Sequence, residues 1–310
     1  MSQADQNLSS SNPILALENV SYSYPNGVAA LHKIQMEIQP GSKIAILGAN
    51  GAGKSTLFLH LNGILQPQSG RVLLDGQRVE YTHSFLSVLR KKVGIVFQDP
   101  DSQLFSVNVF QDISFGPMNL KYSPTEVKDR VERAMEITKI CDLRGRPTHQ
   151  LSYGQKKRVA IAGILAMDPE VIILDEPTAS LDPCLVEEMM LLFEELYKRG
   201  KTLIMSTHDM DLAYSWVDYC YVLNQGSVAA QGSPYDIFRD QTLLKENNLQ
   251  IPWVLKVFEQ LVAKGLIDGN SRPPYNEEQL FAYLDNAAFP VAKQSIKTEV
   301  NPWNLYRKAR

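Results

Sequence analysis

Gly48-Ala49-Asn50-Gly51-Ala52-Gly53-Lys54-Ser55-Thr56 brings together the residue types that hold a polyphosphate. The glycines let backbone N–H groups close around an anion without interference from Cβ. Lys54 is a mobile point charge able to reach the β- and γ-phosphates, and the Ser55 hydroxyl can ligate Mg²⁺. A second set stands at Asp175-Glu176. Asp175 can hold Mg²⁺ through water, and Glu176 can polarise an attacking water as general base. Asp-Glu-Pro is also a good strand-to-helix junction, so the pair on its own does not demand catalysis. The third set is Leu151-Ser152-Tyr153-Gly154-Gln155. Ser152 and the N–H groups after it make a helix N-terminus ready for a second anion, which is hard to place in the pocket already formed by residues 48–56.

The elements that must position these residues can be read on either side of them. Ile44-Ala45-Ile46-Leu47 is a buried strand entering the glycine loop, and Leu57-Phe58-Leu59-His60-Leu61 leaves it at helical spacing. Val171-Ile172-Ile173-Leu174 delivers the two carboxylates to the C-terminal edge of a parallel sheet. Residues 93–97 form another continuous apolar strand that ends at Gln98, and 202–206 a further one. Residues 14–24 and 33–38 alternate around the turn Pro25-Asn26-Gly27, and 70–74 adds a hairpin strand closed by Asp75-Gly76; these suggest an antiparallel edge. A short helix is expected over 85–92. From 99 to about 167 the pattern is helical. Ser123-Pro124-Thr125-Glu126 is a capped start, followed by Val127, Val131, Ala134, Met135 and Thr138 on one face, and a second helix runs from about Gln155. A helix is also expected over 185–197. An α/β core interrupted by a helical insertion of about 70 residues results.

Bulk properties narrow the function classes. The 310 residues are 44% hydrophobic and 21% charged with a net charge of −3, so nothing suggests a polyanion such as nucleic acid as a partner. Cys141, Cys184 and Cys220 are scattered without metal-ligand spacing, and read as free thiols in a reducing cytosol. Residues 1–12 read as a polar, disordered leader without the apolar core of a signal peptide. No stretch approaches the roughly 18 apolar residues that cross a bilayer. Past 246 the texture changes: Trp253 starts an amphipathic helix with Val254, Val257, Phe258, Leu261 and Val262 on one face, and Asn276 starts another with Leu280, Phe281 and Leu284. That face could pack on the preceding domain, make a dimer contact or form a regulatory module. The stretch 293–310 is mildly basic.

Taken together, the ordered motifs resemble those of ATP-binding-cassette (ABC) ATPases, over about residues 14–240. Residues 151–155 are similar to the family's signature, with Tyr153 where Gly is usual. By that resemblance Tyr24 is the aromatic that stacks on adenine, against the plainer reading of a sheet-edge tyrosine. Gln98 is the Q-loop glutamine, touching the Mg²⁺ region, and Ser180-Leu181-Asp182 is the loop at the subunit boundary. His208 is the switch histidine. The cofactor contacts implied are Tyr24, Gly48, Asn50, Gly51, Ala52, Gly53, Lys54, Ser55 and Thr56, with Ser152, Gly154 and Gln155 supplied from a second subunit. Glu176, His208 and Gln98 are the implied catalytic set, and Ser55, Gln98 and Asp175 the implied Mg²⁺ set. The resemblance implies a P-loop NTPase core over 13–245, with an antiparallel β subdomain, a helical subdomain at 99–167 and a helical extension at 246–310.

Residues 96–105, 112–117, 151–158 and 208–214 are similar to energy-coupling-factor transporter ATPases, and look closest to cobalt/nickel import subunits. This implies ATP and Mg²⁺ as cofactors and a place on the cytoplasmic face of the cell membrane. The implied partners are a second ATPase subunit, identical or not, a transmembrane coupling subunit and a substrate-binding membrane subunit; the cargo would be cobalt or nickel. A vitamin importer subunit is an alternative cargo reading. A soluble ABC protein of DNA repair or translation would carry a long coiled coil or a duplicated cassette, and neither is seen. A lone phosphate-loop kinase or switch would not need residues 151–155.

Overall fold

The computed structural model describes residues 12–286; the leader up to residue 11 and the stretch 293–310 lie outside the described residues. The strands, in chain order, are Leu15–Ser23 (β1), Ala29–Ile38 (β2), Lys43–Leu47 (β3), Ser69–Leu74 (β4), Gln77–Arg78 (β5), Val93–Val96 (β6), Val171–Asp175 (β7), Thr202–Ser206 (β8), Tyr219–Asn224 (β9) and Ser227–Gly232 (β10). The helices are Lys54–Leu61 (α1), His83–Lys92 (α2), Val109–Asn119 (α3), Pro124–Ile137 (α4), Tyr153–Leu165 (α5), Pro183–Lys198 (α6), Met210–Trp216 (α7), Pro234–Phe238 (α8), Gln241–Glu246 (α9), Trp253–Ala263 (α10) and Glu277–Asn286 (α11).

Two sheets form. The first is antiparallel in the order β2-β1-β4-β5, and the second runs β10-β9-β3-β8-β7-β6. In the second, β9, β3, β8, β7 and β6 are mutually parallel and only β10 runs against them. Strands β6, β7 and β8 are buried at every position, as the unbroken apolar runs require of a sheet covered on both faces. The Tyr221 hydroxyl on β9 donates to the Glu37 carbonyl of β2 at 2.7 Å and so ties the two sheets together. Strand β2 starts at Ala29, earlier than the alternation at 33–38 indicates, because Lys33 takes a left-handed conformation (φ 48°) and breaks the pattern.

The helical insertion holds α3, α4 and α5 around a core of Val109, Ile113, Val131, Met135, Val159 and Ala162. Ser123 and Glu126 make the reciprocal capping box at the start of α4. Gly94 lets α5 lie close on the sheet, since a Cβ there would stand 2.3 Å from Ile164 Cγ2. Among the described residues no helix is long and apolar enough to cross a membrane.

The chain divides into two compact units between Trp253 and Val254, later than the expected boundary at 246, because the Leu249 N–H bonds back to the Leu244 carbonyl of α9 and the Trp253 N–H to Asp211 of α7. The second unit has its own small core of Val254, Phe258, Ile267 and Leu280, joined by Leu261, Val262 and Tyr283. Val257, expected on the same face, is exposed.

His60 on α1 is completely buried; its Nδ1 donates to the Thr56 carbonyl at 2.8 Å and its Nε2 has no hydrogen-bond partner. Burial holds its pKa below the usual 6.5. The unfolded chain therefore takes up this proton more readily, and the stability His60 contributes is present above about pH 6.5 and lost as pH falls below it. Thermal unfolding followed from pH 7 to 5 should show a falling midpoint, and the fall should be shallower in His60→Gln.

Candidate nucleotide and hydrolysis site

The loop between β3 and α1 is shaped by its glycines. Gly48 has φ 142° and Gly53 φ 107°; a Cβ on them would sit 2.3 Å from the Leu223 carbonyl oxygen and 2.6 Å from that of Ala30. Lys54 is buried and curls back over the loop, its Nζ donating to the carbonyls of Gly48 at 2.7 Å and Ala49 at 3.2 Å. Burial lowers the pKa of this ammonium, and the nearby charges of Glu176 and Asp175 partly counter that. Helix α1 has no side-chain cap and no acidic residue in its first turn. Among the described residues, no protein acceptor takes the main-chain N–H groups of Gly53, Lys54 or Ser55. Asn50, Gly51 and Ser55 are exposed while Ala52 and Thr56 are buried, so the loop opens outward. Free N–H groups, a helix dipole and one ammonium fit a polyphosphate.

The carboxylates meet this loop through hydroxyls. Parallel pairing of β7 with β8 sets Asp175 opposite Ser206. Ser206 Oγ donates to Asp175 Oδ1 at 2.6 Å and accepts from the Glu176 N–H at 2.9 Å. Ser55 Oγ donates to Asp175 Oδ2 at 2.8 Å. A hydroxyl and a carboxylate so placed are a hard oxygen pair that fits Mg²⁺. Glu176 is left-handed (φ 46°), a conformation uncommon outside glycine and kept here by the bonds around it. Both of its carboxylate oxygens are held: Oε1 by His208 Nε2 at 2.8 Å, Oε2 by Gln98 Nε2 at 3.1 Å. The Gln98 amide is bonded to Glu176, because β6 and β7 are parallel neighbours whose C-terminal ends lie side by side, and Glu176 follows directly on Asp175 of the Mg²⁺ pair.

Tyr24 is half-buried, and its hydroxyl shares a 2.9 Å hydrogen bond with Thr56 Oγ1. Tyr22 meets it edge-on at 5.3 Å. The Tyr24 side chain is thereby anchored to the first turn of α1, beside the loop.

Ser152 and Gln155 form a capping box at the start of α5, bonded at 3.0 Å and 3.3 Å. Ser152 is exposed, and among the described residues no hydrogen bond joins Ser152, Gly154 or Gln155 to the 48–56 loop. Gly154 faces α6: a Cβ there would come within 2.7 Å of Leu185 Cδ1. Asp182 caps α6 by accepting from the Leu185 N–H at 3.0 Å, after Ser180 in a left-handed turn (φ 62°). The structure thus gathers Lys54, Ser55, Asp175, Glu176, Gln98 and His208 into one site, while the start of α5 exposes Ser152 and touches that site only through Tyr153, whose hydroxyl reaches the Gln98 carbonyl, among the bonds described for residues 152–155.

Two residues of this neighbourhood are missed by sequence reasoning. Ser206 gives only a weak signal, a small polar residue ending a buried strand. Lys157 reads as one member of the basic run Lys156-Lys157-Arg158, yet it is completely buried. Burial lowers its pKa to about 8, against the attraction of Asp175, Asp99 and Glu176.

The protein-family model described as ABC transporter matches residues 31–179. The chain is 48% identical to the energy-coupling factor transporter ATP-binding protein EcfA2 of Clostridium perfringens, over 81% of this chain and 88% of that protein. It is similar to the structure of cbiO1 from Clostridium perfringens, described as part of the ABC transporter complex cbiONQ, with a TM-score of 0.68 and 47% identity over 80% of this chain and all of that one. It is also similar to a dimeric ATP-binding cassette in a post-hydrolysis state bound to ADP and phosphate, with a TM-score of 0.65 and 27% identity over 71% of this chain and 98% of that one.

Proposed function

The chain belongs to the ABC transporter ATP-binding family, as an ATP-hydrolysing P-loop subunit of the energy-coupling-factor kind, and from that premise we propose that it powers uptake of a transition-metal ion, cobalt or nickel, through separate membrane subunits. The likeness to cbiO1, part of the ABC transporter complex cbiONQ, supports work within a multi-subunit transporter, and the metal cargo rests on the resemblance of residues 151–158 and 208–214. Two copies, or this chain and a related one, pair head to tail, so that each nucleotide lies between Lys54 of one subunit and Ser152, Gly154 and Gln155 of the other. The observation that carries this reading is the capped start of α5, a helix N-terminus with Ser152 exposed and, among the described residues, no hydrogen bond from Ser152, Gly154 or Gln155 to the 48–56 loop of its own subunit. The likeness to a dimeric cassette bound to ADP and phosphate supports pairing of two such subunits.

Within a site, Lys54 leaves the Gly48 and Ala49 carbonyls for the phosphates, and Tyr24 offers its ring to the base. Ser55 and Asp175 would hold Mg²⁺, which when bound neutralises phosphate charge. Glu176 orients and deprotonates the attacking water beside its two present partners, His208 and Gln98. Gln98, bonded to Glu176 and placed immediately before the helical insertion, links the γ-phosphate region to that insertion.

The membrane partner docks on that insertion. Phe105, Val107, Phe115 and Met118 are exposed there, with Phe105 and Phe115 packed edge to face at 4.7 Å. Such a cluster marks an interaction surface. Docking there places the chain on the cytoplasmic face as a peripheral subunit. Purification from native membranes should bring down hydrophobic partner chains, and cells lacking this chain should lose cobalt or nickel accumulation. Loss of a vitamin instead would move the cargo, not the ATPase role. In Phe105→Asp/Met118→Asp, recovery of the membrane partners should fall at least about tenfold, the effect of removing roughly 1.4 kcal/mol or more of apolar contact, while the isolated subunit keeps its ATPase rate.

A further inference from the structure

Lys157 lies in α5, completely buried, with no carboxylate bonded to its ammonium among the described residues. Its neighbour Lys156 takes the ordinary course, an ion pair with Asp101 at 2.6 Å. Lys157 Nζ instead donates to three main-chain carbonyls: Gln98 at 2.6 Å, Glu176 at 3.3 Å and Phe97 at 3.4 Å. One helical turn earlier, the Tyr153 hydroxyl donates to the same Gln98 carbonyl at 3.2 Å. Positions i and i+4 of a helix lie on one face, so both donors reach the same point from one element.

Two of the three carbonyls belong to the residues whose side chains meet at the site, Gln98 and Glu176. Glu176 is held in its left-handed conformation from both sides, its N–H by Ser206 Oγ and its carbonyl by Lys157. A buried ammonium costs several kcal/mol in desolvation unless it is well bonded. A core that needed only packing would be served as well by methionine at this position.

We propose that Tyr153 and Lys157 are positioning residues, a two-donor clamp through which the start of α5 sets the backbone of Gln98 and Glu176. The inference rests on the head-to-tail reading and on Glu176 as the hydrolytic base. Its consequence is communication between the two sites of a pair. Ser152 closes over the partner's nucleotide, and Tyr153 and Lys157, on the same rigid helix, hold the hydrolytic carboxylate of their own subunit. A shift of α5 on engaging one nucleotide then reaches the Glu176 that acts on the other. Tyr153, where the family usually has glycine, adds a donor to this connection.

Steady-state ATPase kinetics and ATP affinity test it in Tyr153→Phe, Lys157→Met and Lys157→Gln, together with the double variant Tyr153→Phe/Lys157→Met. The expected result is a kcat lowered about tenfold or more in Lys157→Met and about two- to fivefold in Tyr153→Phe, the effects of removing one charged and one neutral hydrogen bond. ATP affinity should stay within about twofold, with kcat partly recovered in Lys157→Gln, which keeps a donor. Because both donors share one carbonyl, the double variant should lose less than the product of the single losses. The clamp is overturned if kcat is unchanged in Tyr153→Phe and in either Lys157 variant, or if kcat falls only in step with ATP affinity. Should Lys157→Met fail to fold, Tyr153→Phe and Lys157→Gln decide on the same terms. Glu176→Gln serves as control: full turnover in that variant would refute the site reading beneath the clamp, whereas a silent clamp with an inactive Glu176→Gln refutes the clamp alone.

Discussion

Glu176→Gln should lose about 10²- to 10⁴-fold of its ATP turnover, the usual worth of a general base, while still binding ATP. The amide keeps the size of the side chain and can still meet Gln98 and His208, which hold the two carboxylate oxygens at 3.1 Å and 2.8 Å. The left-handed backbone at Glu176 is fixed by main-chain bonds to Ser206 and Lys157, which the substitution does not touch. The variant should therefore fold normally and fail only in the step that needs a proton acceptor. Single-turnover hydrolysis of radiolabelled ATP, measured beside nucleotide binding, checks this. Wild-type turnover with glutamine in place would move the base elsewhere.

Lys54→Met should fail earlier, at binding. The ammonium now rests on two loop carbonyls, and it is the sole cation bonded within the 48–56 loop among the described residues. Methionine fills the same volume without charge. Losing a hydrogen bond to a charged group is worth about 1.5–3 kcal/mol, or roughly a 10- to 150-fold loss of ATP affinity at about 1.4 kcal/mol per decade. Turnover should drop further, because the same charge stabilises the phosphoryl group in transit. Since burial already depresses the lysine's pKa, removing the charge should leave the fold at least as stable. Fluorescent-nucleotide titration and thermal unfolding separate the two effects: weak binding with an undiminished unfolding midpoint is the expected pair.

The two variants differ in a way that follows from the fold. Lys54 sits on the loop after β3, and Glu176 on the end of β7, with β8 between them. One holds the nucleotide and the other acts on it. Ser206, from the intervening strand, is bonded to both carboxylate residues, and the Ser55 hydroxyl, donating to Asp175, links them to the loop.

Much of this was legible in the residues. The apolar runs before Gly48, Asp175 and Gln98 become β3, β7 and β6, because a strand covered on both faces leaves no room for polar positions. The Ser123–Glu126 pair caps α4 as written, since capping is a local interaction. What escaped depends on packing between distant segments. Strand β10 is built of small and polar residues with no clean alternation, and β9 is a five-residue apolar run whose period alone does not distinguish a strand from a buried helix segment. Helix α3 carries Pro117 in its interior, which in sequence reads as a break. Lys157 looks like part of a solvated basic run and turns out to be bonded to three carbonyls from two loops. The placement of Gln98 on Glu176 follows from the order of strands, which no local pattern encodes.

In the proposed head-to-tail pair this chain carries half of each ATP site, and ATP joins the two halves. Light scattering of purified Glu176→Gln, with and without ATP and Mg²⁺, tests it most directly. The predicted result is a monomer without nucleotide that becomes a dimer with ATP, and does not do so when Lys54→Met is added. A Glu176→Gln protein that binds ATP yet remains monomeric, alone and with any related subunit that purifies with it, would contradict the claim.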